Sequence, residues 1–121
     1  MDPLRILIAD DHQAILDRLC SQLADEFEVV GAVLDGQAAF DAAVTLRPGA
    51  VVLDISMPRL SGLDVARRLS APPNPPQIVF LTVHDDQDFR DAATEAGASG
   101  YVLKRQMCTH LVAALRHALQ A

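Results

Sequence analysis

Val51-Val52-Leu53-Asp54-Ile55-Ser56-Met57-Pro58 is an apolar run that meets an acid and then turns. Three consecutive apolar residues with no polar alternation read as a strand buried on both faces, as in a parallel sheet under helices. Met57-Pro58 and the later Gly62 then force a loop. In open α/β sheets the ligand crevice lies beyond the carboxyl ends of the strands. A carboxylate placed there, at the edge of an apolar core, is costly unless something pairs with it. The rest of the chain can therefore be read for what meets Asp54.

Working outward, the same unit repeats on both sides. Leu4 to Ala9 is a short apolar run that stops at Asp10-Asp11-His12. Ile15, Leu16, Leu19, Cys20 and Leu23 then recur at helical spacing to about Asp25. Phe27 to Leu34 reads as a second strand, weakened by Gly31, and an alanine-rich helix follows from about Gln37 to Leu46. The strand over 50–54 leads into a helix marked by Leu63, Val65, Ala66 and Leu69. That helix must end before Pro72-Pro73-Asn74-Pro75-Pro76, which reads as a stiff connector. Ile78 to Leu81 is the fourth strand, ending at Thr82, and a helix over about Asp86 to Ala96 stops at Gly97. Ser99 to Leu103 is the fifth strand, ending at Lys104, before a last helix over about 106–120. Five βα units in strict alternation, with no internal boundary, predict one domain over residues 1–121, with helices on both faces of a parallel sheet.

Composition narrows the function. The 121 residues are half apolar and carry 10 basic against 16 acidic side chains, a net charge of −6. That balance argues against direct contact of this segment with nucleic acid or an anionic membrane, either of which calls for a basic patch. The amino terminus shows no secretory signal and no run is long enough to span a membrane, so the expected compartment is the cytoplasm. Cys20 and Cys108 are accordingly expected to be reduced core thiols.

Asp10-Asp11, Asp54, Thr82 and Lys104 all fall at strand carboxyl ends and should face one crevice. Each has a bland explanation alone. Asp11 could be a helix N-cap, Asp54 could open a turn, Thr82 could end a strand, and Lys104 could be a solvated charge. Their coincidence weakens that set. Three carboxylates in one cleft repel each other and raise one another's pKa. A hard cation such as Mg²⁺, together with a lysine, relieves this, and Mg²⁺ keeps room in its shell for phosphate oxygens. A carboxylate so surrounded describes a phosphoryl-transfer site. His12, beside the acids, reads as a first-turn helix residue rather than a ligand, because Mg²⁺ avoids imidazole. His84 reads as a residue of the cleft rim, and His110 and His117 as helix surface.

Ile8-Ala9-Asp10-Asp11-His12, Leu53-Asp54-Ile55-Ser56-Met57-Pro58 with Gly62, Leu81-Thr82, and Gly100-Tyr101-Val102-Leu103-Lys104 together resemble a response-regulator receiver domain of two-component signalling, over essentially the whole chain. The resemblance is to the branch whose output is a helix-turn-helix DNA-binding domain. It implies a doubly wound, flavodoxin-like five-stranded parallel sheet of strand order 2-1-3-4-5. It also implies that Asp54 accepts a phosphoryl group from a partner sensor histidine kinase, with Mg²⁺ held by Asp11, Asp54 and the main-chain carbonyl of Ser56, and Asp10 assisting. Lys104 would pair with the phosphoryl oxygens, the Thr82 hydroxyl would swing toward them, and Tyr101 would follow inward. The affected surface would be the fourth helix, fifth strand and fifth helix, with a homodimer forming on activation. DNA would be reached only through an output domain outside this chain, and the domain would be a switch rather than an enzyme.

Two positions depart from the family's habit. Val83 stands where a small residue usually follows the threonine, which should narrow access to the phosphoryl group and slow its exchange. Arg105 replaces the proline that often follows the lysine. A flavin- or nucleotide-binding protein of the same layering would need a glycine-rich phosphate loop where Asp10-Asp11 stands. An aspartyl-phosphate hydrolase would want a second acid at Ser56. A degenerate receiver, acting without phosphorylation as an interaction or dimerisation module, is opposed by the intact set of Asp11, Asp54, Thr82 and Lys104.

Overall fold

The structure is a computed structural model describing residues 4–71 and 74–120. It contains the strands β1 (Leu4–Ala9), β2 (Phe27–Val33), β3 (Ala50–Leu53), β4 (Gln77–Thr82) and β5 (Gly100–Leu103). The helices are α1 (Gln13–Leu23), α2 (Gly36–Leu46), α3 (Gly62–Leu69), α4 (Gln87–Glu95) and α5 (Met107–Gln120). All pairings are parallel, in the order β2-β1-β3-β4-β5, so the expected class, alternation and strand order hold. Gly31, which weakens the reading of β2, lies at a shift in register: Ile6 pairs with Val29 but Leu7 with Gly31.

Alternation along each strand builds two cores. Ile6, Ile8, Val52, Val79, Leu81 and Val102 meet α1 and α5 through Leu16, Leu19, Leu111 and Leu115. Leu7, Val51, Leu53, Ile78 and Phe80 face the other way, onto Ala39 and Ala43 of α2, Val65 and Ala66 of α3, and Ala93 of α4. Every residue of β3 is buried, which is why its sequence carries no polar alternation.

Boundaries differ from the sequence reading in small ways with local causes. Helix α1 ends at Leu23, its last buried residue, with a turn before Phe27. His12 rather than Asp11 occupies its N-cap position, and its side chain makes no capping bond, so the Asp11 carboxylate is left for the cleft. The last helix is preceded by a 3₁₀ turn over Lys104–Gln106. Both cysteines are free, as expected, but only Cys20 packs against the core. Cys108, in the first turn of α5, is exposed beside Arg18. Within the proline-rich connector, Pro72 and Pro73 lie outside the described residues.

The loop after β3 is held by two close approaches. The Gly62 N–H donates to the Ile55 carbonyl at 2.7 Å, and a Cβ on Gly62 would stand 2.0 Å from the Asp54 carbonyl oxygen. The Gly36 N–H donates to the Pro58 carbonyl at 3.2 Å, and a Cβ there would stand 1.7 Å from the Leu60 carbonyl oxygen. Both obstacles are backbone, which cannot step aside as a side chain tip would. Gly62→Ala is therefore expected to cost about 1–3 kcal/mol, the usual range for overpacking. Gly100→Ala, whose Cβ would meet neighbours only at 3.4–3.8 Å, should change stability by less than about 1 kcal/mol. Urea unfolding of the two variants checks the contrast.

Candidate phosphoryl-acceptor site

The sheet delivers its polar strand ends to one rim because the strands are parallel and in register. Ala9 pairs with Leu53, Leu53 with Phe80, and Thr82 with Leu103. The residues that follow or end these strands (Asp10, Asp54, Thr82 and Lys104) therefore emerge side by side. The Asp54 N–H donates to the Ala9 carbonyl at 3.0 Å, extending the β1–β3 ladder by one bond and fixing the acid against Asp10. Among the described residues, Asp10, Asp54 and Thr82 are the buried polar ones, at 1%, 5% and 0% exposure.

Lys104 reaches across β4 to both buried acids. Its Nζ lies 2.7 Å from Asp10 Oδ2 and 3.2 Å from Asp54 Oδ2. The Asp54 contact is an aligned hydrogen bond. Asp10 Oδ2 has the ion pair but no aligned donor, and is fully buried. Asp10 Oδ1 accepts the His12 N–H at 2.9 Å, and His12 Nδ1 lies 3.0 Å from both Asp10 Oδ1 and Asp11 Oδ1. One potential ligand atom from each of Asp10, Asp11, His12 and Asp54 falls within 4.8 Å of all the others. Oxygen-rich donors at this spacing, one of them buried without an aligned partner, suit a hard divalent cation such as Mg²⁺.

The electrostatics match the crowding. Burial, and then the charge of Asp10, push the Asp54 carboxyl above the ordinary carboxylate range, against the opposing pull of Lys104. Burial works against the Lys104 ammonium, but its contacts with Asp10 and Asp54 together outweigh that, and its pKa is raised.

Around this centre lies a ring of contacts. Thr82 Oγ1 accepts the His84 N–H at 3.2 Å. The Tyr101 hydroxyl donates to the His84 carbonyl at 2.7 Å, and the Arg90 guanidinium lies 4.7 Å over the Tyr101 ring. Burial raises the Tyr101 pKa, with Arg90 opposing. Asp85 binds Arg90 at 2.8 Å and Arg105 at 3.1 Å, and these two hydrogen bonds lower its pKa. Arg105 thus has a partner of its own in the loop after β4. His110 and His117 are exposed, as read from the sequence, and Val83 is 68% exposed. Sequence reasoning brought Asp10, Asp11, Asp54, Thr82, Lys104 and Tyr101 to this edge, and all six are there. It missed Asp85, Arg90 and Phe89, whose signal was only their place in and after the loop following Thr82.

A five-stranded parallel sheet of this order, with acids, a hydroxyl and a lysine gathered at its carboxyl rim, has the layout of a signal receiver domain. The response regulator receiver domain profile matches residues 6–116, and the chain belongs to that family. It is 38% identical over 118 residues to the response regulator MprA of Mycolicibacterium vanbaalenii, covering 98% of this chain and 51% of that one. It is 36% identical over 118 residues to the transcriptional regulatory protein PdtaR of Mycobacterium tuberculosis, covering 97% and 57%. The chain thus spans about half the length of these relatives. Among solved structures, the signal receiver domain of NarL from M. tuberculosis superposes with a TM-score of 0.95 at 26% identity, covering 100% of this chain and 99% of that one.

The raised acid and the lysine have opposite consequences for stability. Asp54 holds its proton more tightly folded than unfolded, so its ionisation costs stability. The molecule is best off below the ordinary carboxylate range near 4, and loses that advantage as pH rises through the raised value. Lys104, also raised, contributes up to its ordinary range near 10.4, and that contribution is lost above it. In EDTA at pH 7, Asp54→Asn should raise Tm by a few °C, about what 1 kcal/mol gives in a domain of this size. The gain should shrink toward pH 4 and on adding excess Mg²⁺. Lys104→Met should instead destabilise by about 3 kcal/mol, because it strands two buried acids. Thermal melts across pH, with and without metal, test both signs.

Proposed function

We propose that this domain accepts a phosphoryl group on Asp54 from the phosphohistidine of a sensor kinase and switches the output of a transcriptional response regulator. The observation that carries this reading is Lys104 Nζ lying within 3.2 Å of both Asp10 and Asp54 carboxylates, with Asp11 alongside. In this reading Asp54 is the nucleophile, and its position one residue past a fully buried strand holds it at the mouth of the cleft. Asp11, Asp54 and the Ser56 main-chain carbonyl would hold Mg²⁺, with Asp10 assisting. The metal, when bound, supplies positive charge against the phosphoryl oxygens. Lys104 supplies the second positive charge, already aligned on the acceptor oxygen, so little reorganisation is needed as charge develops.

Thr82 and Tyr101 form the switch. The buried Thr82 hydroxyl accepts the His84 N–H and keeps its own hydrogen to donate to a phosphoryl oxygen, so turning it toward that oxygen would shift its bond to His84. Tyr101 follows because its hydroxyl is fixed to the same residue's carbonyl. A local charge change thereby biases the α4–β5–α5 surface, on which a homodimer would form. The response-regulator and transcriptional roles named for MprA and PdtaR support an output through gene regulation. Any contact with DNA then belongs to sequence outside this net-negative domain. Turnover is confined to self-catalysed gain and loss of the phosphoryl group.

Incubation with Mg²⁺ and acetyl phosphate, followed by intact mass, is expected to show one phosphoryl adduct on the wild-type chain and none on Asp54→Asn. Absence of an adduct, and of beryllofluoride binding, would favour a phosphorylation-independent interaction module.

A further inference from the structure

We infer that the groove between the carboxyl ends of α2 and α3 is a docking site for a partner protein segment in which apolar side chains are flanked by carboxylates. The groove has a volume of about 510 Å³. It is lined in part by residues just before β3 and β4, at the amino-terminal edge of the sheet. That is the end opposite Asp54, so the groove takes no part in the acceptor reading.

The sequence of α2 builds one wall. Phe40, Val44 and Arg47 recur at i, i+4 and i+7 and so share a face. Phe40 is half-buried and packs against the second core, whereas Val44 is 56% exposed. Arg68 and Leu69 of α3 stand across the groove, and Pro75 of the connector adds a rigid apolar edge. The Arg68 guanidinium lies 5.8 Å over the Phe40 ring, which holds its charge above the apolar floor.

The charge of this groove runs against that of the chain. Acidic side chains outnumber basic ones 16 to 10, and Arg59, Arg67, Arg90, Lys104, Arg105 and Arg116 each have a carboxylate in reach. Among the described residues, Arg5, Arg18, Arg47 and Arg68 have none within 4.0 Å. Three of these four gather here. Arg47 and Arg68 line the groove, and Arg5 donates to the Arg47 carbonyl at 3.2 Å. Arg47 also caps α2 at a φ of 48°, in the left-handed region where glycine is the unstrained residue. A guanidinium takes a carboxylate in a planar, two-pronged contact, and the floor between the two arginines takes an apolar side chain. A nucleic acid strand would leave that floor unfilled, and the net charge of −6 repels it.

The probe is a short synthetic peptide with leucine and phenylalanine set between glutamates, titrated into the full chain and followed by amide chemical shifts. Shifts are expected at Phe40, Val44 and Leu69 and not around Asp54. Affinity should fall several-fold between roughly 0.05 and 0.5 M NaCl. Arg68→Gln and Arg47→Gly should each weaken binding roughly three- to tenfold, and Arg68→Glu should abolish it. Because Arg47→Gly relieves the left-handed backbone, its Tm should hold or rise, so weaker binding by that variant is not a loss of fold. A peptide with lysine in place of each glutamate should not bind. Shifts that fall elsewhere or fail to appear overturn the inference, as do charge variants that bind like the wild type. So does equal binding by the lysine peptide or by a single-stranded oligonucleotide. A dimer in sedimentation that Arg68→Glu disperses would make a second copy the occupant and overturn the partner segment.

Discussion

A single ammonium lies close to two buried carboxylates, and the architecture at the carboxyl rim is arranged to keep it there. Lys104 begins where β5 ends, and it must cross β4 to reach Asp10 and Asp54 on the far side. That reach is available because β1, β3, β4 and β5 are parallel and in register, so their carboxyl ends form one rim. Without the lysine, two acids at 1% and 5% exposure would face each other at the edge of an apolar core, where charge is costly. With it, Asp54 remains raised in pKa, since burial outweighs the help that Lys104 gives. The residual discomfort is what the cation and phosphoryl group of the proposed reading would relieve.

The two cores explain why this rim can be strained while the domain stays folded. Each face of the sheet is filled by its own helices, α1 and α5 on one side and α2, α3 and α4 on the other. The buried acids of the cluster begin one residue past Ala9 and Leu53, at the edge of the second core. What does couple the rim to the body is backbone. Gly62 and Gly36 let the starts of α3 and α2 close onto the loop after β3, so the acceptor's surroundings are set by main-chain contacts that tolerate no Cβ.

Much of this was legible in the sequence, because the determinants are local. The uninterrupted run of β3 announces burial on both faces, the glycine after α4 announces its end, and polar residues at strand ends announce a common edge. Boundaries slipped where one residue's role depends on its neighbours. Asp11 fits an N-cap by type, but the chain places His12 there and leaves Asp11 to the cleft. Cys108 fits a helical stripe by spacing, yet it lies in the first turn of α5, outside the core. The least legible part is the ring around Tyr101. Asp85, Arg90 and Arg105 are ordinary surface charges in sequence, and only the tertiary arrangement brings the two arginines onto one carboxylate.

The path from Thr82 Oγ1 through both main-chain groups of His84 to the Tyr101 hydroxyl is a two-way connection. Thermodynamic linkage makes it reciprocal: any protein whose affinity depends on how Tyr101 sits must alter the acceptor's affinity for its charge by the same factor. If Asp54 is the acceptor as proposed, the outer face of α4 and β5 would govern the acidic rim as much as report on it. On that reading a docked companion would be an effector of the chemistry, and the length of a signal would become a joint property of the receiver and whatever is listening to it.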